Sequence, residues 1–314
     1  MKLTDIETNQ KAETINVLIY GTNKIGKSTL AAEAPGAISL DIENGTREIV
    51  GSKRFPMPKD WSWFYVNECI DFLLNEKHDF RSCIVDTVDW AEPLAWAEQV
   101  RRKPTGDKGK QIVTIEDYGY FQGYTMVLDV WRTLLLKLER LRVERGMNII
   151  LLAHAALRMV ENPEGDNFEQ WDLKTNKHLA GMLREWTDAV LFASYDMAVS
   201  KENKHAKGKA LGDGTRVLRT QERPAFRAGN RYGLPFELPL SWDALWDAAR
   251  GSGRVTCEQV IQRISVTYVD TPLAAKASAG TIKFKKDLAK LLSLENYLKL
   301  ELSKLQPTET EVAP

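Results

Sequence analysis

The chain has 314 residues, 43% of them hydrophobic, which is enough for one large α/β domain with an appendage. Lys plus Arg equals Asp plus Glu at 43 each, so the formal net charge is zero, the molecule is no polycation, and any nucleic-acid surface must be local. Cys69, Cys83 and Cys257 are widely spaced without a C-x-x-C pair, against a disulfide framework or zinc site. With no apolar core in MKLTDIETNQKAET and no run near the roughly 18 residues of a membrane span, the expectation is a soluble cytoplasmic protein that does not bind membranes.

Ile15 to Tyr20 is an apolar run of the kind found in a strand buried on both faces, and Gly21-Thr22-Asn23-Lys24-Ile25-Gly26-Lys27-Ser28 follows at once. The spacing is that of a P-loop, G-x-x-x-x-G-K-[ST], and a helix-forming run, Ser28 to Ala34, comes next. The two glycines let consecutive N–H groups face an anion. Gly21 to Thr29 is therefore the expected nucleotide-binding loop: Thr22, Asn23, Lys24, Ile25 and Gly26 supply backbone, Lys27 reaches the β- and γ-phosphates, and Ser28 holds Mg²⁺ ahead of Thr29. The Lys24 side chain reads as a solvated loop residue.

A second buried strand, Ala37 to Leu40, runs into Asp41-Ile42-Glu43, and Glu43 is either a base or a solvated acid at a strand end. A Pro-broken loop over 51–60 precedes a stretch, 61–75, readable as strand or helix, with helix favoured. Cys83-Ile84-Val85-Asp86 is an apolar strand ending in an acid, the Walker B pattern, with Asp86 expected as a Mg²⁺ ligand on the strand next to the P-loop. Thr87 rather than Glu follows it, which leaves Glu43 to supply the base. Thr87 to Arg102 reads as a helix, Arg101 to Lys110 as a basic mobile loop, and Val127 to Leu141 as an amphipathic helix.

Met147 to Ala153 is another buried strand, and its exit carries His154, readable as a structural hydrogen-bonding residue or as a γ-phosphate sensor. Residues 155–178 read as a long polar loop, followed by a helix near 178–186 and a strand over 189–193. Residues 201–231 hold nine Lys or Arg against three acids, either a solvated hairpin turning at 212–214 or a phosphate-contacting surface. Ser241 to Arg250 reads as a short helix and Gly251-Ser252-Gly253 as a hinge. Thr256 opens a small helix, an Ala/Ser/Gly linker follows, and a Lys-rich helix spans 281–305.

In order and spacing, GTNKIGKST, LDIENG, SCIVDTVDW, IEDYGYFQGYT, GMNIILLAHA and AGNRYGLP make residues 13–245 resemble RecA-type ATPases. More narrowly they are similar to phage-encoded RecA-like nucleotide-binding proteins described as AAA-type ATPases, some of which are single-strand annealing recombinases. The resemblance implies that Glu43 activates water and that His154 couples the γ-phosphate to a following DNA-binding loop. It also implies that Arg231 contacts a neighbour's nucleotide, although Gly229-Asn230-Arg231 departs from the family's Lys-Asn-Lys or Lys-Asn-Arg. Gly119-Tyr120-Phe121-Gln122-Gly123 likewise lacks the lysine of Gly-Tyr-Gly-Lys-Gly.

The expected fold is thus an α/β, RecA-like P-loop NTPase core with a mostly parallel central sheet flanked by helices, plus a small helical C-terminal appendage. Its parts are a flexible N-terminus (1–13), the ATPase core (14–250), a helical region (251–305) and a disordered tail (306–314). The expected activity is Mg²⁺-dependent ATP hydrolysis with Lys27, Glu43, His154 and Arg231 in catalytic roles and Ser28 and Asp86 at the metal, in a homo-oligomeric ring or filament. The expected partner is single-stranded DNA along 101–125 and 155–178, with Tyr118, Tyr120, Phe121, Tyr124 and Trp171 available for stacking. The alternative is a nucleotide-switched assembly, replication or packaging factor that binds protein.

Overall fold

The computed structural model describes residues 13–106, 109–163, 165–196, 198–200, 209–211 and 214–250, together with 257–268, 271–285 and short stretches within 290–301. The chain divides into two compact units, Met1–Ser252 and Gly253–Pro314.

In the first unit β1 (Asn16–Gly21) leads through the P-loop into α1 (Lys27–Ala32) and β2 (Ala37–Asp41). Then come α2 (Trp63–Asn75), β3 (Ser82–Asp86), α3 (Val88–Arg102), a 3₁₀ turn (Ile115–Tyr118) and α4 (Gln122–Glu144). β4 (Asn148–Val160), β5 (Phe168–Leu173), α5 (Lys177–Trp186) and β6 (Ala189–Tyr195) follow. The unit closes with β7 (Ala198–Ser200), β8 (Lys209–Leu211), β9 (Arg216–Arg219), β10 (Gly229–Asn230), β11 (Glu237–Pro239) and α6 (Trp242–Arg250).

The sheet runs β11-β9-β6-β1-β4-β3-β2, with β6, β1, β4, β3 and β2 parallel and β9 and β11 antiparallel on one margin. It is the expected mostly parallel sheet flanked by helices. Period-2 alternation explains the layers. Leu18 and Tyr20 of β1 face the core under α2 to α5, and Val17 and Ile19 face the core under α1 and α6. β3 and β4 sort likewise, with Cys83, Val85, Ile149 and Leu151 on the first face and Ile84, Ile150 and Leu152 on the second. The edge strand β2 is covered by residues 53–55, through Ser39 N–H to the Lys53 carbonyl and Phe55 N–H to the Ser39 carbonyl.

Several expectations are corrected by long-range pairing. β3 does not adjoin the P-loop strand: β4 lies between them, with Leu152 paired to Ile19 on one side and to Asp86 on the other. Residues 155–178 are not an irregular loop. β4 is 13 residues long, and its outer half pairs antiparallel with β5 from Ala155↔Leu173 to Val160↔Phe168, giving the backbone groups of this polar segment ladder partners. β9 is not the second arm of a hairpin with β8. β8 pairs with β7, whereas β9 joins β6 and β11 in the main sheet; the expected turn at 212–213 lies outside the described residues.

The second unit holds α7 (Cys257–Tyr268) and α8 (Ala274–Phe284) around Val260, Ile264, Tyr268, Leu273, Ala277, Leu291 and Leu298. The Ala/Ser/Gly stretch read as a linker is α8 itself, in keeping with the high helix propensity of alanine. The expected helix start at 281 falls in its last turn. The expected hinge at 251–253, the Thr256 cap, the tail at 306–314 and residues 1–12 lie outside the described residues. No helix among the described residues is long and apolar enough to cross a membrane.

Candidate active site

The parallel strands end together, and their carboxyl ends carry Gly21, Asp41, Asp86 and His154 within two residues of a common level: Gly21 pairs with His154, and Asp86 pairs with both Leu152 and Asp41. Gly21 is required by close approach, since a Cβ there would lie 2.4 Å from the Ala193 carbonyl of β6. Gly26 is required by conformation, with φ of +108°. Nη1 of Arg216 on β9 lies 2.7 Å from where a Gly26 Cβ would stand, and donates to the Ile25 carbonyl at 3.3 Å.

Lys27 is buried and folded back, its Nζ donating to the carbonyls of Gly21 at 3.1 Å and Thr22 at 3.0 Å. Burial pushes its pKa down, and the carboxylates of Asp86, Glu43 and Asp89 oppose that shift. The ammonium thus sits among acids and held by carbonyls, placed to exchange those neutral acceptors for phosphate oxygens.

Asp86 is 1% exposed. The Ser28 hydroxyl lies beside this carboxyl, while Oδ2 is buried with no hydrogen-bond partner among the described residues. Burial, reinforced by the charges of Asp41 and Glu43, pushes its pKa up to about 6 against the opposing effects of Ser28 and Lys27. An unpaired, desolvated carboxylate oxygen beside a hydroxyl fits a hard divalent cation. Among the described residues no group of three or more His, Cys, Asp or Glu is placed to hold a metal alone, so a cation here would rest on Ser28, Asp86 and a ligand's own oxygens.

Glu43 stands just beyond β2. Its N–H and that of Ile42 both donate to the Asp86 carbonyl, at 3.2 and 2.8 Å. Asp41 organises the same loop, accepting from the Gly45 N–H at 2.8 Å, the Thr46 N–H and hydroxyl at 3.1 and 2.6 Å, and Arg54 at 2.9 Å. His154 faces Glu43 with Nε2 3.5 Å from Oε1, and its other face is held by Asp89 of α3. Asp41, Arg54, Asp89 and Arg216 were not singled out from the sequence. Asp41 and Asp89 carried a weak signal, as acids at the two strand ends that supply Glu43 and Asp86.

A family model described as an AAA domain matches residues 13–232. The chain belongs to that AAA-domain family. Its members are generally nucleotide-binding ATPases, and in this AAA domain the matched segment contains the P-loop, Glu43, Asp86 and His154. Among curated proteins, none matches the chain.

Arg231 is not brought to this phosphate site. It follows β10 and donates to Asp188 Oδ1 at 2.9 Å and to the Glu185 carbonyl at 3.2 Å. Asp188 in turn bonds Asn16, the first residue of β1, whereas the P-loop follows the last. That is a separation of roughly 16 Å along the strand. In the rest of the basic stretch, Arg219 pairs with Glu237 and Asp196, Arg227 pairs with Glu222, and Arg223 lies over the Phe236 ring. Positions 201, 204 and 207 lie outside the described residues.

Of the five aromatics, three are held internally. Tyr118 donates to the carbonyls of Gln99 and Lys103, Tyr124 donates to Glu116, and Trp171 stacks on Phe192. Tyr120 and Phe121 are 96% and 80% exposed on consecutive positive-φ residues.

Proposed function

We propose that this AAA domain binds ATP with Mg²⁺ and hydrolyses it, and that the convergence of Lys27, Ser28, Asp86, Glu43 and His154 at one end of the sheet supports this reading best. The loop amides and Lys27 hold the β- and γ-phosphates and spread their charge. Ser28 and Asp86 would hold the cation, which neutralises phosphate charge when bound. Glu43 takes a proton from a water aligned on the γ-phosphorus as that water's oxygen bonds to it. The bond to the bridging oxygen of ADP breaks, and ADP and phosphate leave. Lys27→Ala is expected to abolish nucleotide binding and turnover. Glu43→Gln is expected to keep ATP affinity within about twofold and to lower kcat by about 10²-fold or more. Equal ATPase rates for Glu43→Gln and wild type would remove Glu43 from this role.

The use of hydrolysis is proposed to be DNA-linked, as in RecA-like recombination or annealing ATPases. His154 lies at the root of the β4–β5 hairpin, so loss of the γ-phosphate at its ring is one residue from the start of that arm. Tyr120 and Phe121, the latter beside the Tyr124 ring, are the exposed aromatics of the five and are available to stack on bases. A role for Arg231 at a phosphate would require the nucleotide of a neighbouring subunit, and hence a homo-oligomer. The second reading is a protein-partnered switch, favoured by exposed apolar Leu157 and Met159 on the hairpin. ATPase assays with and without single-stranded DNA, from low to moderate salt, separate the two. Stimulation that fades steeply with salt is expected for DNA, and indifference to DNA assigns the hairpin to a protein.

A further inference from the structure

The hydrolytic reading uses Glu43 and His154 and leaves the residue behind them unexplained. We propose that Asp89 is a positioning residue that clamps His154 at two points, aims its Nε2 at Glu43, and so fixes the carboxylate that activates water. The proposal rests on Glu43 acting as the base.

The clamp is specific in its geometry. Asp89 Oδ1 accepts the backbone N–H of His154 at 2.9 Å, and Oδ2 lies 2.8 Å from Nδ1 of the same residue. The first contact fixes where β4 leaves the sheet, and the second fixes the plane of the ring. Both side chains are nearly sealed from water, at 5% exposed for Asp89 and 8% for His154. Burial alone would raise the Asp89 pKa, but the hydrogen bonds from His154 hold it below the usual carboxylate range. An ionised acceptor at 2.8 Å requires the proton on Nδ1, because two facing lone pairs would repel. By the same argument Nε2, 3.5 Å from Oε1, orients Glu43 only when it too carries a proton, so the positioning form of the ring is the one that donates on both sides, Nδ1–H to Asp89 and Nε2–H to Glu43.

Glu43 is therefore oriented from two directions. Its backbone is tied to the end of β3 through the Asp86 carbonyl, and its side chain is faced by a ring anchored on α3, the helix that starts two residues after Asp86. Three carboxylates on three elements, Glu43, Asp86 and Asp89, are thereby held in register without sharing a ligand. A solvent-facing Glu43, with 31% of its side chain exposed, would otherwise sample many rotamers, and a base that is misplaced loses much of its rate advantage.

The test is Asp89→Asn. The amide oxygen still accepts the His154 N–H and preserves the fold, while the NH₂ group faces Nδ1 as a donor, so the ring can no longer carry both protons and faces Glu43 uncharged. The expected result is unchanged thermal unfolding, ATP and ADP affinity within about twofold, and a kcat about 10- to 100-fold lower, a fraction of what general-base action contributes. In a Glu43→Gln background, single-turnover rates are expected to change less than about twofold on adding Asp89→Asn, because the group being positioned is already gone. A merely structural Asp89 predicts loss of stability with kcat per folded molecule intact. If Asp89→Asn does not fold, His154→Gln leaves the Asp89–backbone contact in place and is expected to give the same fall in kcat at unchanged ADP affinity. Wild-type kcat in Asp89→Asn, or in His154→Gln if the first does not fold, overturns the positioning role while Glu43 remains the base. Wild-type turnover in Glu43→Gln overturns both.

Discussion

One turn beyond Asp89 on α3, Glu92 is 4% exposed and accepts the Asn176 N–H through both oxygens, at 3.0 and 3.1 Å, where Asn176 caps the start of α5. Burial pushes its pKa from 4.5 up to about 7, with Asp89 adding to the rise and Asn176 and Arg158 opposing it. Because the folded state then binds the proton more tightly than the unfolded chain, this residue's contribution to stability falls as pH rises from 4.5 to about 7. Glu92→Gln is expected to remove that slope: relative to wild type it gains stability on going from pH 5 to pH 8 in urea unfolding. Parallel pH profiles for the two proteins would show that Glu92 is not proton-linked to folding.

Among the elements, β1 does more than present the P-loop. The Tyr20 hydroxyl, fully buried, lies 3.1 Å from the Trp171 carbonyl of β5 and 2.5 Å from the Arg227 carbonyl, and burial drives its pKa up. The residue before Gly21 is thus bolted to the base of the hairpin and to the segment that leads to β10. Tyr20→Phe strips both carbonyls of a donor in a site with little water and is expected to cost about 1–3 kcal/mol in chemical denaturation. A loss under about 0.5 kcal/mol would mean that those carbonyls find other donors. The hairpin itself was hidden in the sequence because its strands lack the strict apolar alternation of a half-buried sheet. Along β4 the burial is complete to His154 and broken beyond it, so the same strand reads as core and then as polar loop.

At the scale of the whole molecule, the family match at 13–232 and the site both lie in the first compact unit, and Val260 to Leu298 form a separate core of the second. A chain ending at Ser252 is therefore expected to unfold cooperatively and to bind ATP with the affinity of the full protein, measured by calorimetry with Lys27→Ala as the blank. A truncated protein that melts without a transition would place part of the first core in residues 253–314. Zero net charge also takes physical form here. Most of the described basic residues over 214–231 are paired with acids or lie on a ring, which leaves Arg216, against the P-loop, as the cation of that stretch directed at the site.

Local chemistry was enough for much of this. The P-loop, the buried strands, the helices at α2 and α4 and the acids ending β2 and β3 are legible because backbone turns, apolar periodicity and strand-end carboxylates are properties of a few neighbouring residues. Strand order, the remoteness of Arg231 and the clamp of Asp89 on His154 are not, since they depend on contacts between residues as far apart in sequence as Val17 and Ala189, and the hairpin, though local, lacks strict apolar alternation. Asp89 and His154 are separated by 65 residues and meet only because β3 and β4 lie side by side. The sequence by itself determined that a phosphate-binding loop and its acids exist; the tertiary structure decided which of those groups face one another, because parallel pairing and helix packing set their register.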